Sequence, residues 1–285
     1  MKVCVLFLTV LTGALRPSRF RGQPVDRSTH WDCHQVLQVG LEQVPRSKNV
    51  AVLVPFREQN GTERRQELDK LVETLQSHAT EEAKQGTNLK VFVVEQTQGD
   101  HFNRGALLNV GFDMASKYFG AEKFAAVTQD CDLLPTPAML KWYSRSGDAP
   151  THLASYLYCP GFGGVTVFRD DVYRAMNGYS NEMWGWGGED DDAMDRWMAD
   201  PSRMVLAPND GVTFSDIGQV HNGQRDKSHY QASMAVWDRD NGEQAWQTEG
   251  LTTLNYTVKQ KYPSTPLVER SLVQLAHGQD DQLHV

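Results

Sequence analysis

The run NVAVLVPF (49–56) is apolar almost without interruption and is stopped by a proline, which is the pattern of a buried strand. Working outward, GTERRQELDKLVETLQSHA (61–79) carries Leu68, Leu71, Val72 and Leu75 at helical spacing, with Thr62 placed to cap its start. A second buried strand, LKVFVVEQ (89–96), is followed by a helix, RGALLNVGFDMASKYF (104–119), and a third strand, KFAAVTQDCDLL (123–134). Strand, helix, strand, helix, strand predicts an α/β domain with a mostly parallel sheet flanked by helices. Ligands of such open sheets bind beyond the carboxyl ends of the strands. Pro55, Phe56, Arg57 and Glu58 therefore share one crevice with Asp130, Cys131 and Asp132, which close the third strand.

A chain of 285 residues suits one large domain with short extensions, and no internal repeat divides it. Its composition, 40% hydrophobic and 22% charged, is that of a globular protein, and a net charge of −8 gives no reason to expect a nucleic-acid partner. An acidic protein that takes a phosphate ligand must create a local positive site, usually with a metal ion. The N-terminus sets Lys2 before an apolar run from Val3 to Leu15, with Arg16 and Arg19 after it. That run is shorter than the roughly 20 residues that cross a bilayer, so residues 1–15 read as a signal peptide or short signal-anchor. Residues 16–47 read as a stem, 48–262 as the main domain and 263–285 as a C-terminal tail. Cys4, Cys33, Cys131 and Cys159 have no CxxC spacing and compel no disulfide. The triplets Asn60-Gly-Thr62 and Asn255-Tyr-Thr257 fit a secretory route.

Asp130-x-Asp132 puts two carboxylates on one side of an extended chain. Two like charges so close are costly unless a cation lies beside them, and oxygen ligands suit Mn2+ or Mg2+, which can in turn hold a diphosphate. Arg57 and Arg104 offer guanidinium forks that match phosphate, and His221 offers a nitrogen to the same metal. In WGWGGEDDDAMDRW (184–197), tryptophans and glycines stand directly against Glu189, Asp190, Asp191 and Asp192. Acids at a first helical turn are favoured by the macrodipole, so a well-started helix and a catalytic cluster both fit these residues.

FNRGALLNVG (102–111), QDCDLLP (129–135) and WGWGGEDDD (184–192), in that order, resemble the hallmark blocks of the β-1,4-galactosyltransferases. HLASYLY (152–158), NGYSNEMWGWGGED (177–190) and GLTTLNYTV (250–258) extend the likeness across roughly residues 48 to 260. The branch most resembled is the one that acts on xylosylprotein. The resemblance implies a GT-A fold with a Rossmann-like sheet in a single catalytic domain, Mn2+ as cofactor, UDP-galactose as donor and a Golgi-lumen address. It also implies inverting transfer to the 4-hydroxyl of a terminal sugar, xylose above all, on a glycan or glycoprotein acceptor. At the matching positions Asp190 would be the catalytic base, with Glu189 positioning the site and Trp186 stacking on sugar. Asp191, Tyr156, Tyr158 and Trp186 would bind acceptor. Pro55, Phe56, Arg57, Phe102, Arg104, Asp130, Gly163 and Gly164 would hold the donor, and Asp132 and His221 would ligate the metal.

Four positions depart from the family pattern. Cys131 replaces the valine of Asp-Val-Asp, with its side chain expected to face away. Gln219 stands where the xylosyl branch has the first histidine of His-x-His, and Gln59 replaces the second arginine of Pro-Phe-Arg-x-Arg. Gly161 stands where the family has a bulky aromatic, which leaves room at the donor sugar's second carbon unless Phe162 fills it. UDP-N-acetylgalactosamine is therefore an alternative donor. Gln59 and Gln219 also keep open a sugar-binding protein without turnover.

Overall fold

In the computed structural model the described residues are 36–58, 63–158, 161–185, 187–217 and 227–276, the side chains at 216, 227–229 and 241–243 excepted. The chain runs β1 (Val36–Val39), β2 (Asn49–Phe56), α1 (Arg64–Lys84), β3 (Asn88–Gln96), α2 (Arg104–Phe119), β4 (Ala125–Gln129), β5 (Leu133–Pro135) and α3 (Pro137–Leu140). It continues with β6 (Thr151–His152), β7 (Val165–Arg169), α4 (Asp170–Ala175), α5 (Glu189–Met198), β8 (Val205–Pro208), β9 (Phe214–Asp216), α6 (Lys227–Glu243), β10 (Tyr256–Lys261) and β11 (Val268–Leu275).

All eight residues of β2 are buried because both faces of the strand are covered. Side chains alternate along a strand, and the two faces feed separate cores. Ala51 and Leu53 join Phe92, Leu107, Phe112 and Phe168 beneath α2, while Val50, Val52 and Val54 pack with Leu68, Leu71 and Leu75 of α1. This is why the sequence of β2 shows no polar alternation: neither face meets water.

The main sheet has nine strands in the order β1-β8-β6-β7-β4-β2-β3-β11-β10. β2 pairs in parallel with both β3 and β4, β3 with β11, and β8 with β1 and β6; β7 and β10 run antiparallel to their neighbours. The chain leaves β2 for β3 on one side, then crosses back through α2 to β4 on the other. That reversal is the topological switch point, and it opens a crevice at the carboxyl ends of β2 and β4. No helix among the described residues is long and apolar enough to cross a membrane.

Several expected boundaries shift. The strand expected over 123–134 stops at Gln129, and Asp130–Asp132 form a turn before the short β5. α1 starts from Glu63 without a side-chain cap, and Thr62 lies outside the described residues. The expected domain limits of 48 and 262 are both too narrow. Val36–Val39, within the expected stem, form the β1 edge of the sheet, and Val268–Leu275, within the expected tail, sit between β3 and β10. The leader 1–15, Cys4, Cys33, Cys159, the Asn60 triplet and residues 277–285 lie outside the described residues.

Leu53 is fully buried where β2 meets α2. Leu53→Ala is expected to lower unfolding free energy by about 2–5 kcal/mol, read as a lower denaturant midpoint at an unchanged m-value.

Candidate active site

Arg104 opens α2, directly after Asn103, whose side chain caps the helix by accepting the Ala106 N–H. The cap aims the guanidinium at the crevice. Its Nε donates to Asp130 Oδ1 at 2.8 Å and its Nη1 lies 3.7 Å from Glu189 Oε1. Nη1 and Nη2 are buried and find no hydrogen-bond acceptor among the described residues. Burial works against the charged guanidinium, but Asp130, Tyr179, Glu189 and Asp190 hold its pKa well above the ordinary value. Two unsatisfied, permanently charged N–H groups facing a crevice are the requirement of an anionic ligand.

Asp130 is raised above the usual carboxylate range by burial, with Asp132 adding to the effect and Arg104 opposing it. Cys131 between them is buried, as expected of a side chain that faces away, and burial pushes its thiol up to about 12. Relief of two neighbouring acids by a hard divalent cation fits this oxygen donor set. Among the described residues no three such side chains gather into a metal-holding cluster. His221, expected to complete it, lies outside the described residues, as do Gln219 and Gln59.

Beyond the end of β2, Arg57 lies over the Phe102 ring, 5.4 Å from its centroid, and donates to the Asp100 carbonyl. Its Nε is also buried without a hydrogen-bond acceptor among the described residues, and its pKa is lowered by burial and by Arg64. Pro55 and Phe56 are buried in β2, and the guanidinium of Arg65 covers the Phe56 ring at 4.5 Å. Arg64 is a residue that sequence reading passed over. It approaches Cys131 Sγ at 3.8 Å and lies in the field of Asp132.

The opposite wall is the start of α5. Glu189, Asp190, Asp191 and Asp192 fill its first turn, behind a left-handed Gly188 at φ 97°. Gly161 and Gly163 pack so closely against this turn that a side chain on either would collide with it. A Cβ on Gly163 would sit 2.6 Å from Asp190 Oδ2 and 3.0 Å from the Tyr158 ring, and the Phe162 amide donates to the Asp190 carbonyl at 2.9 Å. Gly161, at φ +117°, would place a Cβ 2.7 Å from Asp191 Oδ1. The space left by the missing aromatic is thus bounded by Asp191. Phe162 does not fill it, because its ring is fully buried against Phe168 and His152. Burial, then the charge of Asp190, push Glu189 up to about 8 against the pull of Arg104.

Tyr158 lies across Gly163 and Gly164, and Tyr156 accepts the Phe214 amide at its hydroxyl; both rings keep exposed area at the site. Phe102 accepts the Gly185 amide at 2.9 Å, which ties the tryptophan-glycine segment to the Arg57 side. Trp186 lies outside the described residues. Tyr179, also unassigned from sequence, stacks under Arg104 at 5.9 Å and is held by Asn109 of α2 through its backbone. The signal for Tyr179 lay in FNRGALLNVG and NGYSN, whose asparagines tie α2 to the 179–181 segment.

A buried ion cluster anchors α5 from behind. Arg196 Nε donates to Asp192 Oδ2 at 2.6 Å, and Nη2 donates to Asp240 of α6 at 2.7 Å and Glu249 at 2.6 Å. Three carboxylates gather on this one arginine, and among the described residues Arg239 joins the cluster through Asp240.

The N-terminal region of glycosyl transferase group 7 matches residues 27–142, and the N-terminal domain of galactosyltransferase matches residues 152–218. β-1,4-Galactosyltransferase 7 of Drosophila melanogaster is 35% identical over 192 residues, covering 62% of this chain and 54% of that protein. β-1,4-Galactosyltransferase 4 of Rattus norvegicus is 31% identical over 229 residues, covering 75% of this chain and 60% of that protein. The chain thus spans between half and two thirds of the length of these relatives. The crystal structure of the catalytic domain of the Drosophila enzyme with xylobiose superposes with a TM-score of 0.65 at 27% identity, covering 82% of this chain and 96% of that one. A variant of the same enzyme, in complex with manganese, UDP-galactose and xylobiose, gives a TM-score of 0.62. The fold is that of a GT-A galactosyltransferase catalytic domain.

Burial, partly offset by Arg196, raises Asp192 from its ordinary 3.8 to about 8. The folded chain then holds a proton that the unfolded chain gives up near its ordinary value. The resulting stabilisation is complete below that value and is lost as pH rises through about 8. Unfolding free energy is expected to fall between pH 5 and 8, with a shallower slope in Asp192→Asn, measured by denaturant titration across that range.

Proposed function

The chain belongs to the β-1,4-galactosyltransferase family, and on that premise we propose that it transfers galactose from UDP-galactose, with inversion and Mn2+ dependence, to the 4-hydroxyl of a terminal xylose. One observation carries the reading: a buried Arg104 with two unsatisfied N–H groups stands between Asp130 and the α5 acids. The donor's diphosphate answers the arginine, and the sugar then extends toward Asp190. Likeness to the Drosophila enzyme, whose structures hold xylobiose, supports xylose as acceptor.

Inversion is a single displacement, so one carboxylate has to take the acceptor proton as the hydroxyl attacks the anomeric carbon. Asp190 has that role. Its Oδ2 faces the side-chain-free Gly163, where a sugar ring can approach closely. Asp191, beside Gly161, accepts hydrogen bonds from acceptor hydroxyls, and Tyr156, Tyr158 and Trp186 offer ring faces to sugar. Glu189 holds Arg104 toward the donor. Arg57, with Phe102 beneath it, and Arg104 hold the departing UDP, while Gly163 and Gly164 line the donor sugar. Mn2+, held by Asp132 and His221 with Asp130 beside them, would withdraw negative charge from the departing diphosphate. The N-terminal apolar run supports entry into the secretory pathway, and likeness to the family supports action in the Golgi lumen.

Asp190→Asn is expected to reduce transfer at least about 100-fold while UDP binding by calorimetry stays near that of the parent. Near-normal turnover would remove Asp190 as base. Gly163→Ala is expected to depress turnover through its clash with Asp190, at little change in unfolding midpoint. The panel that tests the proposal as a whole uses purified protein, Mn2+ with a chelator control, and xyloside, glucoside and N-acetylglucosaminide acceptors. UDP-galactose with xyloside is the expected pair. Preference for UDP-N-acetylgalactosamine would assign the space beside Gly161 to an N-acetyl group. UDP binding without transfer from either donor would favour a sugar-binding protein.

A further inference from the structure

The described site leaves the far end of the sheet unused. There β10 is the outermost strand, paired with β11 on one side only. Asn255 stands immediately before it, with its backbone carbonyl accepting the Ala276 amide at 3.1 Å and its side chain exposed. Alternation along the strand sends Asn255 and Thr257 to one face and Tyr256 to the other. Tyr256 accordingly turns inward and donates to Asp113 at 2.6 Å, while Thr257 is exposed. Beside Asn255 lies an open cleft of about 340 Å³, bounded by Leu251, Leu254 and Tyr256 on one side and Lys117 and Arg174 on the other.

An outermost strand with one free edge invites pairing with another chain. β10 already carries two deterrents: exposed Lys259 and Lys261, and a register shift between Val258 and Gln260. Val258 is 37% exposed on this edge and remains an apolar invitation.

We propose that Asn255, the acceptor of an Asn-Tyr-Thr triplet, carries an N-linked glycan that projects from this exposed face and screens the β10 edge. The donor class is a lipid-diphosphate-linked oligosaccharide. The Asn255 amide nitrogen forms a bond to its anomeric carbon as the carbon–oxygen bond to the diphosphate breaks. The lipid diphosphate leaves with that electron pair, and the amide proton passes to a base of the transferring enzyme. The modification rests on the secretory route proposed above.

The test expresses the full chain in cultured animal cells, once with its own N-terminus and once behind an added cleavable signal sequence. Peptide N-glycosidase in ¹⁸O-water, followed by mass spectrometry, converts an occupied Asn255 to labelled aspartate. Labelled residue 255 in both forms is the expected result, lost in Asn255→Gln and Thr257→Val and retained in Thr257→Ser. Label only behind the added signal supports the acceptor site and overturns the secretory reading. Unlabelled Asn255 in protein recovered from the secretory lumen overturns the proposal. Deglycosylation is further expected to shift the size-exclusion profile toward self-association, and an unchanged profile overturns the edge-screening role.

Discussion

One buried guanidinium organises the crevice. Arg104 touches Asp130 at the end of β4 on one wall and Glu189 at the start of α5 on the other, separated by 26 and 85 residues of chain. Without it, burial would force carboxylates on both walls to take up protons or move into water. With it, the pull of burial on Asp130 and Glu189 is partly offset, while Nη1 and Nη2 remain unsatisfied among the described residues. A site with that imbalance has affinity for an anion before any substrate chemistry is considered.

The same economy governs α5. Its first turn gathers four acids, which the helix dipole favours, and the close approach of Gly161 and Gly163 fixes where two of those carboxylates stand. The fourth, Asp192, faces inward to Arg196, and Arg196 fastens the helix to α6 and Glu249. Adjacent acids in WGWGGEDDD therefore serve opposite ends: Asp190 and Asp191 face the crevice, and Asp192 secures the helix that presents them. Coupling between the two follows from rigidity, because a shift of α5 moves both at once.

Much of this was legible from residues. β2 and α2 occur at their expected limits because continuous burial and helical period leave strong patterns. The expectation that Arg57 shares a crevice with Asp130 and Asp132 followed from parallel topology, whereas Arg104 entered as a guanidinium matched to phosphate and to the family motif. β11 was missed because VERSLVQL mixes charge with apolar residues, and Glu269 and Arg270 are only half-buried where the strand pairs with β3. β1 was missed because four residues, VLQV, are too few to show a period. The Arg196 cluster was out of reach for another reason: Asp240 and Glu249 lie 44 and 53 residues away, and no local pattern announces a contact of that range. Gly161 was read as a missing aromatic from the family pattern, and its close approach to Asp191 needed coordinates.

The central claim is that a single base, Asp190, faces the donor sugar across a crevice whose arginines hold the departing UDP. The most direct measurement is the nuclear magnetic resonance assignment of the disaccharide formed from UDP-α-galactose and a β-xyloside. A β linkage to the 4-hydroxyl of xylose is the expected product, since one displacement inverts the anomeric centre. An α-linked product would require a second displacement that this arrangement of acids does not offer, and it would contradict the account.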